Sequence, residues 1–170
     1  MIVMTVGRLT SQKNPKRFLE IAALAKKENL DMKFIWIGGG AIKEEMEYLK
    51  NKLDLSDYVL FFDYVKNPYP YLKMADVLMV TSDYEGFCLA ICEAMTLGIP
   101  VVSTRTAGPT EIIGDNEYGI LCPHSPEDLF IELKKLYFDS SYKLSIGSKG
   151  KSRPDDFSEK STLNLIYSLI

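Results

Sequence analysis

Short apolar runs rich in β-branched residues alternate along the chain with longer segments in which apolar residues recur at helical spacing. Strands are predicted at six apolar runs: 2–6, 32–37, 59–62, 77–80, 100–103 and 119–121. These runs are almost continuously apolar instead of alternating with polar residues. That pattern is typical of strands in a parallel sheet that is covered on both faces.

Helices are predicted between the strands. In segment 15–27, Asn14 is a good N-cap, Pro15 suits the first helical position, and Phe18 and Ile21 begin an apolar stripe. The other predicted helices are 42–53, 68–75, 87–97 and 127–138. Strands that alternate with helices in this way indicate βαβ units, so the predicted fold class is α/β, with a doubly wound, Rossmann-like parallel sheet.

The C-terminal part has a weaker pattern. Residues 139–156 are predicted to be a loop or a broken helix, because Gly147 and its polar neighbours interrupt the apolar spacing. Apolar residues at helical spacing return in segment 163–170 and predict a final amphipathic helix. The chain 1–170 is therefore predicted to be one domain with a core of about 2–138, followed by a C-terminal loop and helix.

Composition narrows the function classes. Lys and Arg number 20 against 23 Asp and Glu, a net charge of −3, and 46% of the 170 residues are hydrophobic. This is an ordinary globular profile with no basic excess for nucleic-acid binding. No apolar run approaches a transmembrane span, and no secretory signal opens the chain. Three cysteines without a C-x-x-C motif weakly favour a cytoplasmic location.

Ligands of doubly wound sheets bind beyond the carboxyl ends of the strands, so the residues that follow each strand are the candidates. After the first strand, Gly7 is followed by Arg8 and Lys13, and a guanidinium and an ammonium before a helix N-terminus suit phosphate oxygens. A solvated basic loop is the alternative. After the second strand, Gly38 and Gly39 permit close ligand approach or form a plain turn.

The segments after the third and fourth strands carry further candidates. The backbone near Tyr64 and Val65 could pair with the edge of a nucleobase. Glu85 and Glu93 are eight residues apart, and a carboxylate can accept two hydrogen bonds from a vicinal diol. The alternatives are that Glu85 interacts with a helix N-terminus, and that Glu93 pairs with a buried arginine or a backbone group.

No metal site is predicted. The chain lacks an Asp-x-Asp pair, and Cys88 with Cys92 alone would make a poor zinc site. His124, the single histidine, is predicted to lie in a loop away from the strand ends.

Taken together and in this order, the motifs resemble the donor-binding half of a retaining GT-B glycosyltransferase of family 4, also called group 1. The likeness covers roughly residues 2–123. The matching motifs include Val6-Gly7-Arg8-Leu9, Lys13-Asn14-Pro15, Ile37-Gly38-Gly39-Gly40, Asn67-Pro68-Tyr69-Pro70-Tyr71, Tyr84-Glu85-Gly86-Phe87, Glu93-Ala94-Met95 and Gly108-Pro109.

The resemblance implies a role for each site residue. Arg8 and Lys13 would clamp the diphosphate of a nucleotide-diphospho sugar, and Glu85 would hold the transferred sugar; these three form the expected catalytic set. Glu93 would bind the ribose hydroxyls, and the backbone near Val65 would read the base. The expected donor-binding residues are Gly7, Gly38, Gly39, Tyr64, Val65, Gly86, Phe87, Cys88, Leu89 and Glu93.

The implied reaction is a metal-independent, retaining transfer from a nucleotide-diphospho sugar to a glycan or lipid-linked acceptor. UDP is the nucleotide expected, and no cofactor is needed. Family members are about twice this length, so we expect an N-terminal acceptor domain to be missing here and the isolated domain to be inactive. The full enzyme is expected in the cytoplasm, with peripheral association at the inner face of the cytoplasmic membrane as an option.

The sequence departs from the family pattern at Ala107, where a glycine often stands. Two other interpretations stay open. One is a non-catalytic module that binds nucleotide sugars. The other is a nucleotide-sugar epimerase of the same architecture.

Overall fold

The computed structural model describes residues 1–158, in which six strands form one parallel sheet. They are β1 (Ile2–Val6), β2 (Lys33–Ile37), β3 (Val59–Phe62), β4 (Val77–Val80), β5 (Val101–Thr104) and β6 (Ile120–Cys122). Their order across the sheet is β3-β2-β1-β4-β5-β6, and every pair is parallel. The winding direction reverses between β1 and β4, which confirms the predicted doubly wound sheet.

Helices connect the strands and cover both faces of the sheet. They are α1 (Pro15–Lys27), α2 (Lys43–Lys52), α3 (Tyr69–Leu72), α4 (Leu89–Thr96), α5 (Ala107–Ile113), α6 (Pro126–Phe138) and α7 (Ser140–Gly150). Helix α1 has the predicted bounds, and the Asn14 side chain accepts a hydrogen bond from the Arg17 amide at 3.0 Å. Among residues 1–158, no helix combines the length and apolar character needed to cross a bilayer.

One core lies on each side of the sheet. On one face, the Phe18 ring packs edge to face against Phe34 and Trp36, with ring centroids 5.6 and 5.2 Å apart. On the other face, α4 buries Ile91 and Met95 against the sheet. Strands β4 and β5 are buried along their whole length, as the continuous apolar runs predicted.

Of the two forms predicted for 139–156, a loop or a broken helix, the loop is wrong and an interrupted helix is observed. Helix α7 fills most of this range, and a 3₁₀ segment follows at Arg153–Phe157. A Cβ on Gly147 would lie 2.2 Å from the carbonyl oxygen of Gly98, so this glycine permits a close helix contact. Tertiary packing therefore overrides the low helix propensity of glycine. The amphipathic helix predicted over 163–170 lies outside the described residues.

Candidate active site at the carboxyl ends of the strands

A cavity of about 750 Å³ opens at the carboxyl edge of the sheet, beside the point where the winding reverses. Of the thirteen site residues predicted from the sequence, eleven line it, and only Glu85 and Gly86 do not. The eleven are Gly7, Arg8, Lys13, Gly38, Gly39, Tyr64, Val65, Phe87, Cys88, Leu89 and Glu93. Residues that are far apart in the sequence, chosen because ligands bind beyond the strand ends, therefore lie around one cavity.

Glu85 lies behind the cavity and is joined to it through Lys13. Glu85 is 6% exposed, and its carboxylate pairs with the ammonium of Lys13, which does line the cavity. The Ser82 hydroxyl donates a second hydrogen bond at 2.6 Å. Both bonds end on Oε1, so Oε2 accepts none from residues 1–158. The predicted alternative, in which Glu85 interacts with a helix N-terminus, is therefore not observed.

A second link joins the first turn of α1 to the loop after β4 and was not predicted. The guanidinium of Arg17, on the buried side of α1, donates to the Asp83 carboxylate at 2.8 Å and to the Thr81 carbonyl oxygen at 2.5 Å. Partial burial raises the pKa of Asp83, but hydrogen bonds from Asn14 and Arg17 outweigh it and lower that pKa below its ordinary value. The sequence held one signal for this link, because the charged Arg17 directly precedes Phe18, which is buried.

The glycines after β2 are required by backbone packing. Gly38 has a φ of +138°, and a Cβ there would lie 2.2 Å from the Gly7 carbonyl oxygen. A Cβ on Gly40 would lie 2.0 Å from the carbonyl oxygen of Leu9. Gly39 is different, because its nearest neighbour would be 3.7 Å away. Steric exclusion therefore explains Gly38 and Gly40 without a ligand.

Two cationic residues at the cavity have no acidic partner within residues 1–158. Arg8 and Lys66 both line it, and neither side chain makes an ion pair or a hydrogen bond in this range. Lys66 was not predicted from the sequence, because the only role assigned to its loop was backbone pairing with a nucleobase. With Lys13, these side chains give the cavity a set of positive charges that suits an anionic ligand.

The N-terminus of α4 adds to this positive character. Cys88 occupies the N-cap position, and no side chain in the described part of the chain caps the helix there. The first-turn amides of a helix have no partner within the helix, and they favour negative charge. Helix α4 begins at Leu89, two residues later than predicted, so Phe87 and Cys88 belong to the loop at the cavity.

Glu93 is the acidic residue of the cavity lining. Its carboxylate has no hydrogen bond or ion pair within the described part of the chain, so the predicted alternative of a buried arginine or backbone partner is not observed. Burial raises its pKa above the ordinary value. Burial, and then the charge of Glu85, raise the pKa of the neighbouring Cys88 thiol to about 11, which keeps this thiol protonated at neutral pH.

His124 lies nearer to these loops than the sequence suggested. Its Nδ1 is 3.8 Å from the Asp83 carboxylate, and its Nε2 is 3.2 Å from the carbonyl oxygen of Arg105. The prediction that it lies away from the strand ends is therefore wrong. Its placement in a loop, between β6 and α6, is confirmed. Over residues 1–158, no cluster of three or more His, Cys, Asp or Glu is arranged to hold a metal ion.

The sheet order and the cavity at its switch point place this domain in the Rossmann-like, doubly wound class, whose ligands bind at that position. Residues 1–153 match the family described as Glycosyl transferases group 1, and the chain belongs to that family. Its fold is that of the C-terminal domain of GT-B enzymes, as the resemblance implied.

The chain is similar to a Campylobacter jejuni protein named N-acetylgalactosamine-N,N'-diacetylbacillosaminyl-diphospho-undecaprenol 4-alpha-N-acetylgalactosaminyltransferase, with 31% identity over 91% of this chain and 42% of that one. It is also similar to the putative glycosyltransferase EpsD of Bacillus subtilis, with 28% identity over 95% of this chain and 43% of that one. The chain thus spans about two fifths of the length of these curated relatives.

Two solved structures share the fold. A variant of S. aureus TarM, crystallised with fondaparinux, alpha-GlcNAc-glycerol and UDP, superposes with a TM-score of 0.90 at 28% identity, over 99% of this chain and 35% of that one. The C-terminal domain of the group 1 glycosyl transferase LpcC from Francisella tularensis superposes with a TM-score of 0.79 at 25% identity, over 89% of this chain and 83% of that one.

Proposed function

We propose that this cavity binds a nucleotide-diphospho sugar, with UDP as the nucleotide, and supplies the donor half of a retaining glycosyl transfer. One observation carries the proposal. Within residues 1–158, two cations without acidic partners, a helix N-terminus without a side-chain cap and a carboxylate without a partner all belong to the lining of one cavity at the switch point of the sheet. These are the groups needed for a ligand with a central diphosphate and hydroxyl-bearing ends.

The diphosphate lies on Arg8, Lys13 and the first amides of α4. Departure of the nucleoside diphosphate builds negative charge on its oxygens, and cations and amide dipoles that are already oriented stabilise that charge. Arg8 can present two parallel N–H groups to phosphate oxygens, because its guanidinium is not engaged within residues 1–158. Lys66 adds a further positive charge at the same cavity.

The hydroxyl-bearing parts of the donor lie on the two glutamates. Glu93 accepts hydrogen bonds from the ribose hydroxyls, since its carboxylate has no protein partner to displace within the described residues. Glu85 keeps Oε1 on Lys13 and Ser82 and offers Oε2 to the transferred sugar. The backbone around Gly39 and Val65 contacts the base.

The acceptor is a glycan or a lipid-linked sugar. The name of the C. jejuni relative specifies an undecaprenol-linked acceptor, which supports this class without fixing the acceptor of this protein. The matched relatives are more than twice as long as the chain, and we place the acceptor determinants in the part of the whole enzyme that this chain does not include.

Thermal unfolding with UDP, GDP, ADP and TDP tests the donor assignment. At 100 times its dissociation constant, a ligand stabilises the fold by about 2.7 kcal/mol. We expect UDP to shift the melting temperature and Arg8→Ala to remove most of the shift without changing the ligand-free value. Lys27→Ala, which removes an exposed positive charge at the far end of α1, is the matched control. The absence of any shift with all four nucleotides would contradict the proposal.

A further inference from the structure

Phe87 is the point where the cavity lining meets a segment far away in sequence. Phe87 lines the cavity and is 42% exposed. The Phe157 ring packs against it edge to face, with centroids 5.5 Å apart and planes at 65°. Phe157 is the last residue of the 3₁₀ segment Arg153–Phe157, which follows α7. The donor loop, residues 86–89, therefore has an aromatic support that lies close to the end of the described chain.

Phe157 is itself packed against the guanidinium of Arg153. The guanidinium carbon of Arg153 lies 4.8 Å from the centroid of the Phe157 ring and 4.9 Å from that of the Tyr118 ring. Its Nη2 and Nε donate to the carbonyl oxygens of Glu111 and Ile112 at 2.7 and 2.9 Å. These carbonyls belong to the last turn of α5, which is thereby tied to the 3₁₀ segment.

The other end of α5 contacts the donor loop directly. The Gly108 amide donates to the carbonyl oxygen of Glu85 at 3.0 Å. A Cβ on Gly108 would lie 2.5 Å from the carbonyl oxygen of Gly86, so the two backbones are in close contact. Helix α5 thus supports the loop at its first turn and anchors, at its last turn, the segment that supports Phe87.

We propose that the 3₁₀ segment Arg153–Phe157 positions the donor loop for ligand binding, and that Phe157 is the positioning residue, acting through Phe87. Without the aromatic support, the loop amides at the N-terminus of α4 sample more conformations and must be ordered when the diphosphate binds. A loop that is already ordered binds more tightly, because less conformational entropy is lost on binding. The effect on ligand affinity rests on the proposed donor site, whereas the effect on loop order does not.

The test compares Phe157→Ala and Phe157→Leu with Phe157→Tyr, which keeps the ring. Phe138→Ala is the matched control, because Phe138 also makes an edge-to-face contact, with Tyr137 at 5.0 Å, but lies on α6 outside the cavity lining. We expect amide hydrogen exchange over residues 86–89 to quicken in the Ala and Leu variants and to match the wild type in the Tyr and control variants. UDP affinity, measured by calorimetry, should fall roughly tenfold in Phe157→Ala, and uridine affinity should fall less.

The two readouts separate the two proposals. Unchanged exchange over residues 86–89 in both Phe157→Ala and Phe157→Leu overturns the positioning role, whatever the ligand does. Quicker exchange with unchanged UDP affinity also overturns it, because order in the loop would then not matter for binding. If the wild type binds no nucleotide but exchange still quickens in the Phe157 variants, Phe157 does order the loop, and the proposed donor site is refuted. If Phe157→Ala fails to fold, the Leu and Tyr variants carry the same comparison.

Discussion

The cavity has two walls that are built on different principles. The charged wall consists of Arg8 and Lys13 in the loop after β1, and Lys13 is paired with Glu85, which lies behind the cavity in the loop after β4. The glycine wall consists of Gly38, Gly39 and Gly40 after β2, and backbone contacts with the β1 loop hold it. Stability in the first wall depends on charge pairing, whereas in the second it depends on the absence of side chains.

Because of this difference, some residues of the cavity are needed for ligand binding alone, some for folding alone and some for both. Arg8 has no side-chain partner in the described residues, so the fold does not depend on it. Lys13 faces the cavity and also neutralises a buried carboxylate, so it serves both purposes. Gly40 lines the cavity, but its steric role alone accounts for it. We therefore expect substitutions at these residues to change the free energy of unfolding by different amounts.

The largest effect is expected in the glycine wall. Gly40→Ala places a Cβ about 2.0 Å from the Leu9 carbonyl oxygen, and the two loops must separate. We expect the free energy of unfolding to fall by about 3 kcal/mol, as measured by urea denaturation. Gly86→Ala is the control, since a Cβ there meets no atom of residues 1–158 within 4 Å, and its change should stay within about 0.5 kcal/mol. Equal losses in the two variants would show that sterics do not hold this wall.

The next effect is expected at the ion pair of the charged wall. Lys13→Met leaves Glu85, which is 6% exposed, without the cation that pairs with its carboxylate. We expect a loss of about 2 kcal/mol in the free energy of unfolding, because an unpaired buried charge is costly. Adding Glu85→Gln to this variant should recover part of the loss. A double variant that is less stable still would mean that Glu85 is held by contacts other than Lys13.

A smaller loss is expected at the second link. Arg17→Met removes the hydrogen bonds to Asp83 and to the Thr81 carbonyl oxygen and should cost about 1 kcal/mol at pH 7. The pKa of Asp83 is lowered from 3.8 in the folded wild type, so the stabilisation from its charge is present above pH 3.8 and is lost as the pH falls through the lowered value. The difference between wild type and variant should therefore shrink below pH 3.8. A difference that is constant down to pH 2 would exclude a contribution from the Asp83 charge.

The smallest effect on stability is expected at Glu93, where a substitution should stabilise the fold slightly instead of destabilising it. Burial raises the pKa of Glu93 from 4.5, so its ionised form destabilises the fold once the pH exceeds the raised value. Glu93→Gln should raise the melting temperature slightly at pH 7 and leave it unchanged below pH 4.5. The same variant should bind UDP several-fold more weakly if the carboxylate holds the ribose. A marked loss of stability would reveal a structural partner for Glu93.

Local patterns predicted most of the regular structure. Strands β3 and β4 and helix α1 have the bounds predicted, because apolar runs and the Asn14–Pro15 start are signals confined to a few neighbouring residues. The sequence left a loop and a broken helix open for the range that contains α7, because Gly147 and Gly150 lower helix propensity and only their close contacts explain their presence. Lys66 was missed for a similar reason, since nothing in its own loop shows that the side chain reaches the cavity.

The sequence by itself determined the α/β architecture and the strand-end residues that meet at one cavity, since hydrophobic periodicity and the parallel arrangement bring these positions to the same edge. Only the tertiary structure decided what each residue does there. Glu85 and Glu93 are eight residues apart, yet one is paired with Lys13 and the other has no partner within the described chain. The physical reason is that burial, charge pairing and steric exclusion depend on distances between segments that are far apart along the chain.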